Sequence, residues 1–339
     1  MSQTRFSPQE IITRQNLIKQ VFVDYSQTLA ARAELEECLL RGIMGNGSPA
    51  ASVEAEDELP CAQLSLLIAT SGCGKTTLIH KFIAEKRLDA SVPPGAILRV
   101  SLPTQCTIKQ MTEEILAKLG DGLSGRTSTA ANNTRRIVDA LRRKGVKLLI
   151  IDEFQHLYDR DRRKVIHATT DWLKKLLDDA GVEVVCVGME DSITIVESNI
   201  QLERRTASRI EMRPLRWDAK DDSMEFRIQL KAFEEAIQAG CASGLHQPKL
   251  AHLIHLATGG VIGKVVQLLR QAVKASMSRA EGDDRITTQD LEMGFRNLAP
   301  TRKNPFSVTQ RAAIEADNKV VTTARPGKRP DHGQPGTQA

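Results

Sequence analysis

Apolar residues along this 339-residue chain fall into two textures. Between Leu64 and Met212, short continuous apolar runs alternate with longer stretches of helical spacing. Five runs read as strands: Leu64–Ile68, Ala96–Ser101, Lys147–Ile151, Glu183–Val187 and Arg209–Met212. Strands buried on both faces give such runs, without polar alternation. Helical spacing separates them, notably over Ile108–Leu119, Asn133–Lys144 and His167–Ala180. Strand and helix in alternation predict an α/β fold with a parallel, doubly wound, five-stranded sheet.

After Pro214 the texture changes. Residues 218–239, 248–257, 261–279 and 287–298 carry helical spacing, and no strand run falls among them. Thr258-Gly259-Gly260 punctuates the second from the third, and Thr287 or Thr288 is placed to cap the fourth. Before the strands, Ile11, Ile12, Leu17, Ile18, Val21 and Phe22 suit one helix, and Leu29, Leu35, Leu39 and Leu40 another. The expected organisation is an N-terminal helical segment over 1–43 and a flexible connection over 44–60. An α/β core over 61–215, a small all-helical domain over 216–299 and a basic, mostly disordered tail over 300–339 follow.

Two strings carry chemistry. Residues 69–77 read Ala-Thr-Ser-Gly-Cys-Gly-Lys-Thr-Thr, between the first strand run and a helical run from Leu78. That strand–loop–helix context is what a phosphate-binding loop requires. Thr70, Ser71, Gly72, Cys73, Gly74, Lys75, Thr76 and Thr77 are the expected nucleotide contacts. Gly72 and Gly74 let backbone N–H groups close around phosphates, and the helix N-terminus adds partial positive charge. Lys75 is expected at the β/γ-phosphates, and the Thr76 hydroxyl on Mg²⁺. Ala69 stands where the G-x-x-x-x-G-K-[ST] pattern has its first glycine, and is read as a tolerated departure.

The second string, Leu148-Leu149-Ile150-Ile151-Asp152-Glu153, is an apolar strand ending in two acids. Open parallel sheets bind ligands at the carboxyl ends of their strands. Asp152 is expected to hold Mg²⁺ through a water, and Glu153 to polarise the attacking water. The pair of strings predicts a nucleoside triphosphatase using ATP and Mg²⁺. One strand, Ala96–Ser101, lies between them. That order points to the branch of phosphate-loop ATPases with an inserted strand and a catalytic glutamate, away from kinases and small GTPases.

Composition narrows the rest. No apolar run approaches eighteen residues and Met1–Ile12 lacks a signal-peptide core, so no membrane association and a cytoplasmic location are expected. The six cysteines are scattered with no C-x-x-C pair, which argues against a zinc site or a disulfide framework. Aromatic residues make up 4%, too few for base stacking as a general means of holding nucleic acid. Net charge is +5, of which Thr301–Ala339 holds seven Lys/Arg against three Asp/Glu. Basic clusters at Arg135–Lys147 and Arg160–Lys164 flank the acidic strand and keep a DNA-facing role open.

An α/β ATPase core followed by a helical lid resembles the AAA+ family. In that family the segment before the last core strand supplies an arginine finger to the neighbouring subunit. The resemblance carries this role to Arg205 first and Arg209 second. Lys264, after Gly259-Gly260-Val261-Ile262-Gly263, matches the basic residue of the lid helix that touches the γ-phosphate. After the fourth strand, around Gly188-Met189-Glu190-Asp191, Glu190 or Asp191 stands where the family usually has Asn, Ser or Thr. Within AAA+, Leu149-Ile150-Ile151-Asp152-Glu153-Phe154-Gln155-His156-Leu157, Leu202-Glu203-Arg204-Arg205 and Thr258–Lys264 resemble the TniB/TnsC branch. So do the helix pair at Arg14–Leu40 and Asn304-Pro305-Phe306. Proteins of that branch are transposition regulators related to MuB, some from CRISPR-associated transposons.

The resemblance implies a homo-oligomer, ring or filament, formed with ATP on double-stranded DNA without sequence preference. It also implies a transposase and a target-selector protein as partners. DNA contacts are expected from Thr107, Lys109, Arg126, Thr127 and Arg135, which would track phosphates. His156 is expected to support the acidic pair rather than to react. The tail motif around Phe306 is expected to engage a transposition partner. Two alternatives stay open: another AAA+ DNA remodeller such as a helicase loader, and a nucleotide-gated scaffold with negligible hydrolysis.

Overall fold

The computed structural model describes residues 6–45, 62–122, 129–157, 162–237, 242–279 and 283–310. Five strands are present: β1 (Leu64–Ala69), β2 (Ile97–Ser101), β3 (Leu148–Asp152), β4 (Glu183–Gly188) and β5 (Thr206–Met212). The helices before β5 are α1 (Pro8–Gln20), α2 (Ser26–Gly45), α3 (Lys75–Leu88), α4 (Ile108–Lys118), α5 (Ala130–Lys144), α6 (Arg162–Ala180), α7 (Ile193–Glu197) and α8 (Ile200–Arg204). After it come α9 (Lys220–Ile237), α10 (Pro248–Thr258), α11 (Ile262–Met277) and α12 (Thr288–Leu298).

The chain forms two compact units. A sheet unit holds Phe22–Glu225 with Gly260–Lys264, and a helical unit holds the chain up to Val21, Phe226–Gly259 and the part from Val265 on. The strands of the sheet unit pair in parallel in the order β2-β3-β4-β1-β5. Every residue of β1, β3 and β4 is buried, which is why these strands read as unbroken apolar runs. The edge strand β5 alternates in exposure, so its polar start at Thr206–Ser208 escaped the apolar pattern. Helices α7 and α8 are five residues each, too short to show a helical period.

The register sets up the site. Leu67 pairs with Val187 and Ile68 with Gly188, while Ile151 pairs with Cys186 and Ser101 with Asp152. The carboxyl ends of β1, β4 and β3 therefore stand level along one edge.

The expected N-terminal segment over 1–43 divides between the units. Helix α2 belongs to the sheet unit, where Ala31, Leu35, Cys38 and Leu39 are buried. Its polar side chains find partners there: Ser65 donates to Glu34 at 2.8 Å, and Arg41 Nε to Glu183 at 3.1 Å. Burial pushes the Cys38 thiol up to about 12. Cys38, Cys73, Cys106 and Cys186 are all buried and free. Helix α1 belongs to the helical unit. Arg14 pairs with Asp284, and Gln15 Nε2 donates to the Arg270 carbonyl at 2.8 Å. The non-helical stretch 21–25 makes this division possible.

A second correction concerns the segment after Ala299, expected to be mostly disordered and to offer Phe306 to a partner. Phe306 is 0% exposed and packs edge-on to Phe295 at 6.4 Å between ring centroids. Asn304 directs it there. Its amide donates to the Glu292 carbonyl at 2.9 Å, and its Oδ1 accepts the Phe306 N–H at 3.1 Å. The sequence pattern missed this because one aromatic ring on a turn has no period. Residues 311–339 lie outside the described residues. Among the described residues no single helix is long and apolar enough to cross a membrane.

Candidate nucleotide site

The loop between β1 and α3 needs glycine at two positions. Gly72 has φ 86° and Gly74 φ 93°, in the left-handed region that L side chains rarely adopt. Gly74 is also the N-cap of α3, so the unpaired N–H groups of that helix open toward the loop. Ala69 ends β1 and is not among the residues with positive φ. An L residue is at ease there, which explains why the pattern's first glycine is dispensable.

Lys75 opens α3 and is 8% exposed. Its Nζ donates to the Ala69 carbonyl at 2.6 Å. Burial pulls its pKa below the ordinary 10.5, and Glu153, Cys73 and Asp152 pull it back up. The Thr76 position follows on the same first turn.

Residues 260–264 pack directly on the loop. The Gly263 N–H donates to the Gly72 carbonyl at 2.9 Å. A Cβ on Gly263 would stand 3.0 Å from that oxygen, and one on Gly72 would stand 2.9 Å from Val261 Cγ1. The two segments thus meet backbone to backbone. Lys264 lies close enough for its charge to act on the Cys73 thiol, whose pKa burial nonetheless raises. Tyr25, just before α2, is buried and donates its hydroxyl to the Cys73 carbonyl at 3.3 Å. Sequence reasoning did not single out Tyr25, because only the folded chain brings it to the loop.

The acidic pair sits at the end of β3. Asp152 is 0% exposed, and its Oδ1 accepts the Glu153 N–H at 2.9 Å. Its Oδ2 accepts Arg99 Nη2 from β2 at 2.6 Å. Glu153 has φ 59° and ψ 37°, a left-handed conformation costing roughly 1–3 kcal/mol for a non-glycine residue. Gln155 Nε2 donates to Glu153 Oε2 at 2.5 Å, and Gln155 Oε1 accepts the Met189 N–H at 3.2 Å. His156 Nδ1 pairs with the Leu102 carbonyl at 3.2 Å, and its Nε2 lies 4.0 Å from Glu153. Arg99 and Gln155 were not foreseen. Arg99 was hidden in an apolar strand run. Gln155 offered a weak signal, a long polar side chain two residues beyond the acid.

A hydroxyl at Thr76 and a carboxylate at Asp152 are hard oxygen donors, which fits a small divalent cation retaining several waters. Both Asp152 oxygens carry hydrogen bonds, so a cation there shares this carboxylate with Arg99.

The arginines expected as fingers are held within the chain. Arg205 caps the C-terminus of α8 and pairs with Asp178 of α6. Arg209 on β5 pairs with Glu197 at 2.5 Å. Arg204 is exposed. Of the expected DNA contacts, Thr107 caps α4 in a capping box with Gln110. Lys109 lies 3.8 Å from Glu113, and Arg135 is exposed on α5. Arg126 and Thr127 fall outside the described residues.

A parallel sheet in this order, with a glycine loop after one strand and an acid pair after another, is the AAA+ core fold. Solved structures agree on the fold. The ORC2 protein of Aeropyrum pernix in its ADPNP-ADP complexes matches with a TM-score of 0.58 at 15% identity, over 89% of this chain and 74% of that one. The Cdc6p protein of Pyrobaculum aerophilum gives 0.55 at 16%, over 83% and 70%. The Aeropyrum pernix ORC1 protein in complex with DNA gives 0.53 at 16%, over 92% and 72%. No curated protein matches the chain. Residues 51–215 match the model of the Bacterial TniB protein family.

Proposed function

We propose that this chain is an ATP-hydrolysing regulator of DNA transposition. In this reading it assembles on duplex DNA with ATP and links a target-selector protein to a transposase. One observation carries the ATPase part: a phosphate-type loop and an acid pair stand level on one sheet edge, inside the segment that matches TniB. Lys75 and the loop N–H groups bind the triphosphate, and Lys264 adds positive charge from the first turn of α11. Thr76 and Asp152 would hold Mg²⁺, which supplies charge neutralisation at the phosphates. Glu153 takes the proton of the attacking water. Arg204, exposed near the edge strand, is available to a neighbouring subunit, whereas Arg205 and Arg209 would have to exchange Asp178 and Glu197 for that subunit's phosphates.

The DNA part is supported by the family match and by the fold, which the ORC1 protein solved with DNA shares. Contacts through Thr107, Lys109, Arg126, Thr127 and Arg135 address phosphates rather than bases. Electron microscopy and sedimentation with duplex DNA test the reading. ATP-dependent assembly on unrelated sequences, weakening steeply between 50 and about 200 mM salt, is expected. Assembly that ignores ATP or salt would refute it. Normal assembly without any effect on transposase activity would instead favour another AAA+ DNA remodeller.

A further inference from the structure

In the AAA+ resemblance a polar residue follows β4, and Glu190 or Asp191 stands in its place; the strand itself ends on Gly188, followed by Met189. The space beside Gly188 is nonetheless polar. A Cβ on Gly188 would stand 3.1 Å from Gln155 Oε1 and 2.1 Å from Ser192 Oγ. The glycine thus leaves room for a side chain arriving from the neighbouring strand's loop. That side chain is Gln155, which spans from the Met189 N–H at 3.2 Å to Glu153 Oε2 at 2.5 Å.

The two contacts determine how the amide faces. Turning it over would set its carbonyl against a carboxylate and its NH₂ against an N–H, losing both bonds. Only one carboxylate oxygen of Glu153 is engaged by Gln155, so the other remains available to take a proton. Glu153 is the flexible partner in this arrangement, with a side chain 35% exposed. Left alone, it would sample several rotamers at the cost of alignment.

We propose that Gln155 is the positioning residue of hydrolysis: it orients the Glu153 carboxylate and ties it to the end of β4, in place of a polar residue on β4 itself. The proposal rests on the ATPase reading above.

The test compares steady-state ATP turnover and nucleotide affinity in the full-length protein for wild type, Gln155→Leu, Gln155→Asn and Glu153→Gln. The double variant Gln155→Leu with Glu153→Gln completes a cycle. Leucine keeps the bulk and removes both bonds, and asparagine is too short to span them. Both should lower kcat about tenfold or more, since small misplacements of a reacting group have effects of that size. KM, nucleotide affinity and thermal midpoint should stay near wild type. In the Glu153→Gln background, Gln155→Leu should have no further effect, because its target is gone. A kcat within threefold of wild type, a rise in kcat, or a full additional loss in the double variant would each overturn the proposal. If the wild type shows no turnover that Lys75→Ala removes, the ATPase reading itself fails, and this inference with it.

Discussion

Phe306 is the residue whose burial separates a core function from a partner-binding one. Replacing it with alanine removes a benzyl group from a site that is 0% exposed. Burying an aromatic side chain withdraws roughly 150–250 Å², which at about 25 cal/mol per Å² amounts to ~4–6 kcal/mol against an extended chain. Real unfolded chains already hide part of that area, and measured Phe→Ala losses in cores are about 3–5 kcal/mol. The edge-on contact with Phe295, at 6.4 Å, adds about 0.5–1 kcal/mol. We therefore expect Phe306→Ala to destabilise the helical unit by about 3–5 kcal/mol. Phe306→Leu should lose a minor part of that. Val308→Ala should be neutral, since Val308 is 73% exposed. Urea titration followed by circular dichroism reads this as a lower midpoint at unchanged slope. A midpoint for Phe306→Ala within about 0.5 kcal/mol of wild type would refute the packing argument. It would return Phe306 to the role of an exposed recognition point.

Lys75→Ala should abolish ATP binding in equilibrium titration with a fluorescent analogue; retained affinity would mean that the loop is not the site. Glu153→Gln should preserve that affinity while turnover falls about 100-fold or more, measured as phosphate release, and DNA-bound oligomers should live longer. His252 in the helical unit gives a pH signature. Burial, with His255 beside it, lowers its pKa below the ordinary 6.5, so the unfolded chain takes the proton first. Its contribution is complete above pH 6.5 and is lost as pH falls from there toward the folded value. His252→Gln should flatten the dependence of stability on pH between about 7 and 5; an unchanged slope would contradict the assignment.

What the chain's sequence determined by itself was whatever depends on local residue type and spacing. Leu64–Ala69, Leu148–Asp152 and Glu183–Gly188 were legible because a strand covered on both faces must be apolar throughout. Gly72, Gly74 and Lys75 were legible because a backbone turned around phosphates needs positive φ and a cation next to it. Tertiary structure decided what depends on residues distant in sequence. Nothing local in Tyr25 says that its hydroxyl reaches Cys73, nor in Gly263 that its N–H meets Gly72. Arg99 looked like one charge in a strand until β2 paired beside β3 and set it against Asp152. Gln155 took on meaning only when the register brought Met189 level with the end of β3. The division of α1 from α2, and the return of Phe306 to the core, followed from which buried surfaces were left to fill. Periodicity reports that a residue is buried; only the folded chain says against what.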